Sequence, residues 1–412
     1  MKERIRRDVL SPPGDQFDAL HGMRAVAAFF VIGFHVAHFG GFFSSNANAM
    51  VNLSLFFRFI RAFWYGMDIF FVLSGFLIGR ILMTSLATTG SVEFPRFFVR
   101  RSMRVFPAYY LVLTLTIFFF TRLDIPALRY LLIGDGGWHA MFKESWMNYI
   151  YVMNYAYSAG KANPMGGAWS LCVEEHFYLM LPLMLAILYR TKHRGVRPVV
   201  LILAMFLPLL GRAVQYALDP SIRLLDGFYY RTHNRIDEIM VGVVIAYFFV
   251  HHKNSLQTVV ERLGDGCWIG ALLLIGSVGV FGGIFEQGVF AVVFQFLFCA
   301  LGTGLLVLNC LFLKNRVTRF LSLRIWYPLA RVSYGIYLTH HFLIILAMYL
   351  GSSILELPAG MPASFMFIYI FTMIGSFLVA SAMFMVFERP LIDWGIRISK
   401  NLSASKRAKA YQ

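Results

Sequence analysis

The sequence predicts an all-α, polytopic membrane bundle of about ten transmembrane helices with both termini in the cytoplasm. Three observations point that way. Of 412 residues, 58% are hydrophobic and only 14% charged, whereas an ordinary soluble chain carries about 25% charged residues. Apolar stretches of roughly 18–22 residues, each long enough to cross a hydrocarbon core of about 30 Å, recur along most of the length. The Lys and Arg residues gather on one side of those stretches.

The stretches lie near 25–43, 63–82, 104–121, 168–189, 198–217, 236–251, 267–285, 289–313, 332–350 and 364–387. Each is expected to be helical, because hydrocarbon offers no partner to an unpaired backbone group. With the N-terminus inside, segments 1–22, 80–104, 190–197, 252–266, 314–331 and 388–412 hold 26 basic residues. The opposite side holds 10, and Arg24 lies at the inner end of the first span. That asymmetry sets the orientation. The net charge of +16 is thereby explained as topology-setting charge, and no nucleic-acid partner is expected.

The first span begins only at Ala25, after a basic segment, and no small-residue cleavage site follows it. It is therefore not read as a removable signal peptide. Cys172, Cys267, Cys299 and Cys310 lie in or beside apolar stretches, with spacing suited neither to disulfides nor to zinc. No metal is expected. The chain reads as one membrane domain over 1–397 and a basic cytoplasmic tail over 398–412, expected to be disordered. The outer loop 122–167 carries Trp138, Trp146, Tyr149, Tyr151, Tyr155 and Tyr157, a density that suits an interfacial or re-entrant segment. There is no convincing internal repeat of the kind many transporters show.

An ionisable residue inside a span is costly and is a functional candidate by default. In the first span Arg24 and His35 are eleven residues apart. Eleven residues are almost three helical turns, so both side chains lie on one face, about 16 Å apart along the axis. His35 is then near the membrane centre, where an imidazole can exchange protons as a general base; the bland alternative is a His that only bonds a neighbouring helix. His38 is a weaker candidate, closer to the outer face. Asp68, about a turn and a half into the second span, calls for a buried cation. Ser74 and Gly75 beside it suit close helix packing.

Arg101 and Arg104 are neighbours on one helix face at the inner level of Arg24. Converging guanidiniums suit bidentate binding of phosphates, although ordinary positive-inside charge accounts for them equally, and accounts better for Arg96 and Arg100. The fourth span opens Trp169-Ser170-Leu171-Cys172-Val173-Glu174-Glu175-His176-Phe177-Tyr178. Paired carboxylates there are hard to explain as packing. They point about 100° apart, so one is expected to orient or charge-balance a catalytic His and the other to pair with an Arg. The run 229–238, including Arg235 and Asp237, suits a hydroxyl-rich acceptor at the outer end, or simply a solvated loop end. His340, about 13 Å into the ninth span, reaches a depth close to that of His35.

In their order and spacing, LHGMRAVAAFFVIGFH, GMDIFFVLSGFLIGRIL, FFVRRSMRVFPAYYL, WSLCVEEHFYLMLPL, RIDEIMVGVVIA, SYGIYLTHH and FERP resemble the acyltransferase-3 family of membrane O-acyltransferases across nearly the whole chain. The resemblance implies a ten-helix core and transfer of an acetyl or other short acyl group from a cytoplasmic thioester to a hydroxyl, mostly on sugars of lipopolysaccharide, exopolysaccharide or peptidoglycan. It implies that Arg24 and His35 form the first-span pair, that Arg101 and Arg104 form the Arg pair, and that Glu174 or Glu175 has a role. His21 stands where the family often has Asp, and His176 where it often has Gln. Some relatives carry a further soluble domain at the C-terminus; none is seen here, so the chain is expected to act alone or with a separate partner such as a polysaccharide assembly protein.

The expected activity is transfer from acetyl-CoA or another acyl-CoA, acting as co-substrate with no bound cofactor, to a cell-surface glycan. His35 acts as general base or transient acyl carrier with Glu174 or Glu175 behind it. Arg24, Arg101 and Arg104 hold donor phosphates; Asp68, Trp169, Ser170, Tyr178, Arg235, Asp237 and His340 serve the acceptor or support the site. The expected location is the bacterial inner membrane. The rival class is a transporter or flippase for a polar glycan or acyl carrier, which intramembrane charge also fits but which has no reason to share the ordered motifs.

Overall fold

Each of the ten apolar stretches falls on a helix. The computed structural model describes residues 17–40, 62–122, 142–161, 163–283, 285–357 and 362–410, together with Val9 and Ile60. Its main helices are α1 (Asp18–Phe39), α2 (Gly66–Thr89), α3 (Phe94–Arg122), α4 (Trp169–Leu188), α5 (Val196–Leu218) and α6 (Ile236–His251). They continue with α7 (Lys253–Leu263), α8 (Gly266–Phe281), α9 (Gln295–Phe312), α10 (Trp326–Ser353), α11 (Pro362–Met383) and α12 (Arg389–Ala410). No strand occurs among the described residues.

Eight helical segments of the described residues are long and apolar enough to cross a membrane, and nine if α6 and α7 count as one broken span. The two remaining stretches of the expected ten fall on shorter helices, α6 and α8. The α6 helix has 16 residues, and at His252 the chain turns by 115° into α7. The turn follows from composition: α7 is polar on one side and carries Lys253, Glu261 and Arg262, which a hydrocarbon core would not accommodate. The α8 helix also has 16 residues and stops at Gly282; Gly283 follows with φ of 140°, a conformation glycine adopts readily.

The apolar surface sorts by helix face. On α11, Met366, Ile370, Ile374 and Leu378 recur at four-residue spacing and are all exposed. On α5, Leu203, Leu207, Leu210 and Val214 recur at three- and four-residue spacing and are likewise exposed. Exposed stripes of that extent would be a liability in water, but lipid tails cover them. A multi-pass membrane protein is the arrangement that satisfies both faces. Inside, the largest apolar cluster joins α1, α2, α4, α5, α6 and α9. A second joins α1, α10 and α11. A third joins α3 and the start of α4 to α10.

At the crossing of α2 and α6 the backbones come into direct contact. A Cβ on Gly75 would overlap the Ile239 carbonyl, and one on Gly242 would overlap the Val72 carbonyl. Glycine at both positions lets the two backbones touch. Beside that crossing, five charged side chains are wholly buried. Arg235 Nη2 bonds Asp68 Oδ1 at 2.6 Å, and its Nε bonds Glu238 Oε1 at 2.8 Å. Arg212 Nη2 bonds Asp237 Oδ2 at 2.7 Å and also donates to the Val293 carbonyl at 2.9 Å. Arg235 and Asp237, expected to serve the acceptor or support the site, both have 0% exposure and are held in ion pairs. A guanidinium or carboxylate this deep must be paired inside the protein, which places both away from a solvated loop end.

Two segments outside the main bundle also have a place on it. Within the aromatic outer loop, Trp138 lies outside the described residues. Tyr151 is buried and stacks on Tyr109 of α3 with ring centroids 4.7 Å apart, while Trp146 and Tyr155 are exposed. The segment 142–161 thus folds back onto the bundle. The tail expected to be disordered from 398 is helical as far as Ala410. It starts by packing against α3, where Arg100 Nε bonds Ser399 Oγ at 2.9 Å and Met103 covers Gly395.

If the Arg212–Asp237 pair is structural, Arg212→Met strands a buried carboxylate and lowers stability by about 3–5 kcal/mol. The double variant Arg212→Met/Asp237→Leu then recovers much of that loss. Thermal unfolding of the purified chain in detergent reads both, and a double variant as unstable as the single one would contradict the pairing.

Candidate functional site

Two cavities meet at a shared wall. The larger, about 340 Å³, is lined by Arg24 of α1, Ser74 of α2, Arg101 and Arg104 of α3, and Glu174 and Tyr178 of α4. The smaller, about 80 Å³, is lined by His35 and His38 of α1, Trp169 of α4, Tyr229 and Tyr230 before α6, and His341 of α10. Met67 and Tyr337 line both. Helical periodicity explains the division. The eleven-residue interval in α1 keeps Arg24 and His35 on one face but three turns apart, so one helix supplies a cation to one cavity and an imidazole to the other.

The arginine cavity is organised by α4. Arg101 Nη2 bonds Glu174 Oε2 at 3.3 Å, and its Nε lies 3.7 Å from Glu175 Oε1. The guanidinium also stacks on Tyr178, 3.7 Å from the ring centre, a contact that suits its flat, weakly hydrated charge. Tyr178 donates to Glu174 at 2.9 Å and is hydrogen-bonded to Ser74. The four-residue step from Glu174 to Tyr178 puts both on one side of α4. The result is a held carboxylate beside three arginines, with positive charge in excess. His21, one turn before Arg24, lines the same cavity.

The histidine cavity is organised by α10. His340 Nδ1 lies 2.7 Å from the Tyr337 carbonyl, and its Nε2 lies 3.0 Å from His35 Nδ1. A carbonyl only accepts. In a neutral imidazole, His340 therefore carries its proton on Nδ1, and its Nε2 accepts from His35 Nδ1–H. The chain of bonds leaves the lone pair of His35 on Nε2. Tyr337 is tied to Ser170 Oγ at 2.5 Å and to the Gly167 carbonyl, which fixes the wall between the cavities. Trp169 packs on Tyr229 at 4.9 Å between centroids, and both flank the guanidinium of Arg235.

The sequence-derived candidates thus divide. Arg24, Arg101 and Arg104 converge on one cavity, as their common inner level suggested. His35 and His340 come into contact, as their similar depths suggested. Of Glu174 and Glu175, one is expected beside a catalytic His and the other beside an Arg; both turn to Arg101, and the group bonded to His35 is His340. Asp68 has the buried cation it needed, Arg235. Ser170 holds the wall through Tyr337. His176 bonds Thr232 Oγ1 at 2.7 Å, outside both cavities. Sequence reasoning missed Tyr337, His341 and Arg212. For the first two a signal existed, since Tyr337, His340 and His341 stand three and four positions apart on α10 and so share a face.

A family profile described as an acyltransferase domain (Acyl_transf_3) matches residues 17–381. The chain is 28% identical over 247 residues to the putative peptidoglycan O-acetyltransferase YrhL of Bacillus subtilis, covering 59% of this chain and 35% of that one. The same identity and coverage hold for the peptidoglycan O-acetyltransferase OatA of Listeria monocytogenes. The O-acetyltransferase OatA of Staphylococcus aureus is 23% identical over 336 residues, covering 79% of this chain and 51% of its own. The matched part therefore spans about a third to a half of the length of these curated relatives. No solved structure matches the chain.

The placement of the glutamates is separable from the sequence expectation by diethylpyrocarbonate labelling of the folded protein, read by peptide mass spectrometry. Glu174→Gln leaves the labelling rate of His35 as in wild type, whereas His340→Ala changes it several-fold. The reverse pattern would put Glu174, not His340, beside His35.

Proposed function

The chain belongs to the acyltransferase-3 family, and from that premise we propose that it is a membrane O-acyltransferase whose base is His35 Nε2. The donor is an acyl-CoA, acetyl-CoA first among them. Its phosphates sit among Arg24, Arg101 and Arg104, and its thioester arm passes the Met67–Tyr337 wall to reach His35. The acceptor is a hydroxyl of a cell-surface glycan. The names of the relatives make peptidoglycan the first acceptor to test, ahead of exopolysaccharide or lipopolysaccharide.

The observation that carries this reading is the His35–His340–Tyr337 carbonyl chain, facing a cavity that shares its wall with the arginine cavity. As the acceptor oxygen attacks the thioester carbonyl, its proton passes to His35 Nε2. The oxygen–carbon bond forms and the carbon–sulfur bond breaks. The thiolate leaves with the proton that His35 returns, giving an O-acyl glycan and free CoA thiol. His35 holds positive charge in between, and the lone pair of His340 Nε2, already bonded to His35 Nδ1–H, stabilises it. This is the task the sequence assigned to a glutamate. Glu174 and Glu175 instead hold Arg101 to the donor. Direct transfer needs no acyl-histidine, although the same Nε2 could form one.

The orientation follows from the charge asymmetry: the arginine cavity opens to the cytoplasm and the histidine cavity toward the far side of the bacterial inner membrane. Partners are then the bilayer, the acyl-CoA, the glycan and its assembly proteins.

His35→Ala is expected to lower acyl transfer from radiolabelled acetyl-CoA by about 10²- to 10⁴-fold, the range general-base catalysis supplies, while the protein still elutes as a folded species. Arg101→Ala is expected to raise KM for the donor more than it lowers kcat. The readouts are a transfer assay on purified protein and mass spectrometry of the cell's glycans in a deletion strain complemented with each variant. Full activity in His35→Ala would defeat the mechanism. Unchanged glycan acylation in the deletion strain, with no transfer in vitro, would shift the weight to a transporter.

A further inference from the structure

His341 is not used by the mechanism, yet its Nε2 is buried without a hydrogen-bond partner. It faces the same cavity as His35. The rings of His340 and His341 are 4.1 Å apart, and those of His35 and His341 are 4.6 Å apart. One ligand nitrogen from each of His35, His340 and His341 can be chosen so that all three lie within 4.8 Å of one another.

We propose that His35, His340 and His341 form a regulatory site for a divalent transition metal with zinc's preference for imidazole. The donor set is three nitrogens, which suits zinc, copper or nickel and not magnesium or calcium. Zinc bonds imidazole nitrogen at about 2.0–2.1 Å, so tetrahedral ligands stand about 3.4 Å apart. The His35 Nδ1 to His340 Nε2 separation of 3.0 Å is close to that. His341 supplies the third ligand by a small ring movement, and the adjoining cavity leaves a position for water. Three imidazoles with one position left for water form an open zinc site rather than a closed structural one.

The consequence for activity rests on the reading of His35 as the base. A metal on His35 Nδ1 displaces the proton from that atom. The proton relocates to Nε2, and the ring stays neutral. His35 then presents an N–H where the acceptor hydroxyl needs a lone pair, and its link to His340 is replaced by the metal. Bound metal switches transfer off without blocking the arginine cavity.

Full-length protein in detergent, stripped with a chelator, is titrated with Co²⁺ as a spectroscopic probe and then with Zn²⁺. Binding of one Co²⁺ per chain with visible d–d absorption, displaced by Zn²⁺, is expected. The signal is lost in His341→Ala and kept in His193→Ala, a loop residue far from the site. Because His341→Ala could fail to fold, the wild-type chain gives a second reading: Zn²⁺ slows diethylpyrocarbonate labelling of His35 and His341 but not of His193. Saturating Zn²⁺ is expected to lower acyl transfer by at least ~100-fold, the lower range of general-base catalysis, with recovery on adding EDTA. No Co²⁺ signal, or a signal indifferent to His341→Ala with unchanged labelling, overturns the site and leaves the transferase reading standing. Metal bound with no loss of transfer overturns the switch. Metal bound by a chain that transfers nothing even when metal-free supports the site and counts against the transferase reading instead.

Discussion

Arg235 sits where four parts of the chain meet, and the rest of the bundle is arranged around satisfying it. Its guanidinium bonds Asp68 from α2 and Glu238 from α6, donates to the Tyr229 carbonyl at 3.1 Å, and lies 4.1 Å from the centre of the Phe296 ring on α9. Fully removed from water, such a charge is tolerable only if every neighbour stays in place. Each neighbour is on a different element, so the requirement is global. The glycine crossing of α2 and α6 follows from it, because the backbones must be close for Asp68 and Glu238 to reach one guanidinium.

That constraint reaches the candidate site through aromatic rings. Trp169 and Tyr229 pack on Arg235 and on each other, and they form part of the histidine cavity. Trp169 starts α4, the helix that carries Ser170 to the Tyr337 wall and Glu174 to Arg101. The ion pairs at the α2–α6 crossing therefore help to set the position of both cavities. A rigid frame of this kind suits a reaction in which two substrates meet at one imidazole, since reacting groups must be held in register.

The two cavities differ in a way that fits two partners. One is roomy, cationic and edged by apolar side chains, as an anionic nucleotide with a long organic arm requires. The other is small, aromatic and rich in imidazole, with little fixed charge, as a sugar hydroxyl and a short acyl group require. Tyr337 and Met67 stand between. A tyrosine tied to both Ser170 and the Gly167 carbonyl is the firmer part of that partition, and an unbranched methionine the more adaptable part.

Features that depend on one helix or on the bilayer were legible in the chain alone. Helix positions followed from apolar runs, because lipid permits little else. The common face of Arg24 and His35, the adjacency of Arg101 and Arg104, and the need of Asp68 for a cation followed from helical periodicity and the cost of buried charge. The motif order pointed to the acyltransferase-3 family. Which charges neutralise one another was decided only by the tertiary structure. Arg235 and Asp237 read as polar residues near a loop end until packing buried them, and which of Glu174 and Glu175 would meet an arginine was open until α3 brought Arg101 within reach of both. His340 and His341 lie some 300 residues from His35 in the chain, and pairing across that distance leaves no periodic trace in one sequence. Helix length told the same story at α6, where an apolar run long enough to suggest a span ends in a turn because the charged residues beyond it stay out of the hydrocarbon.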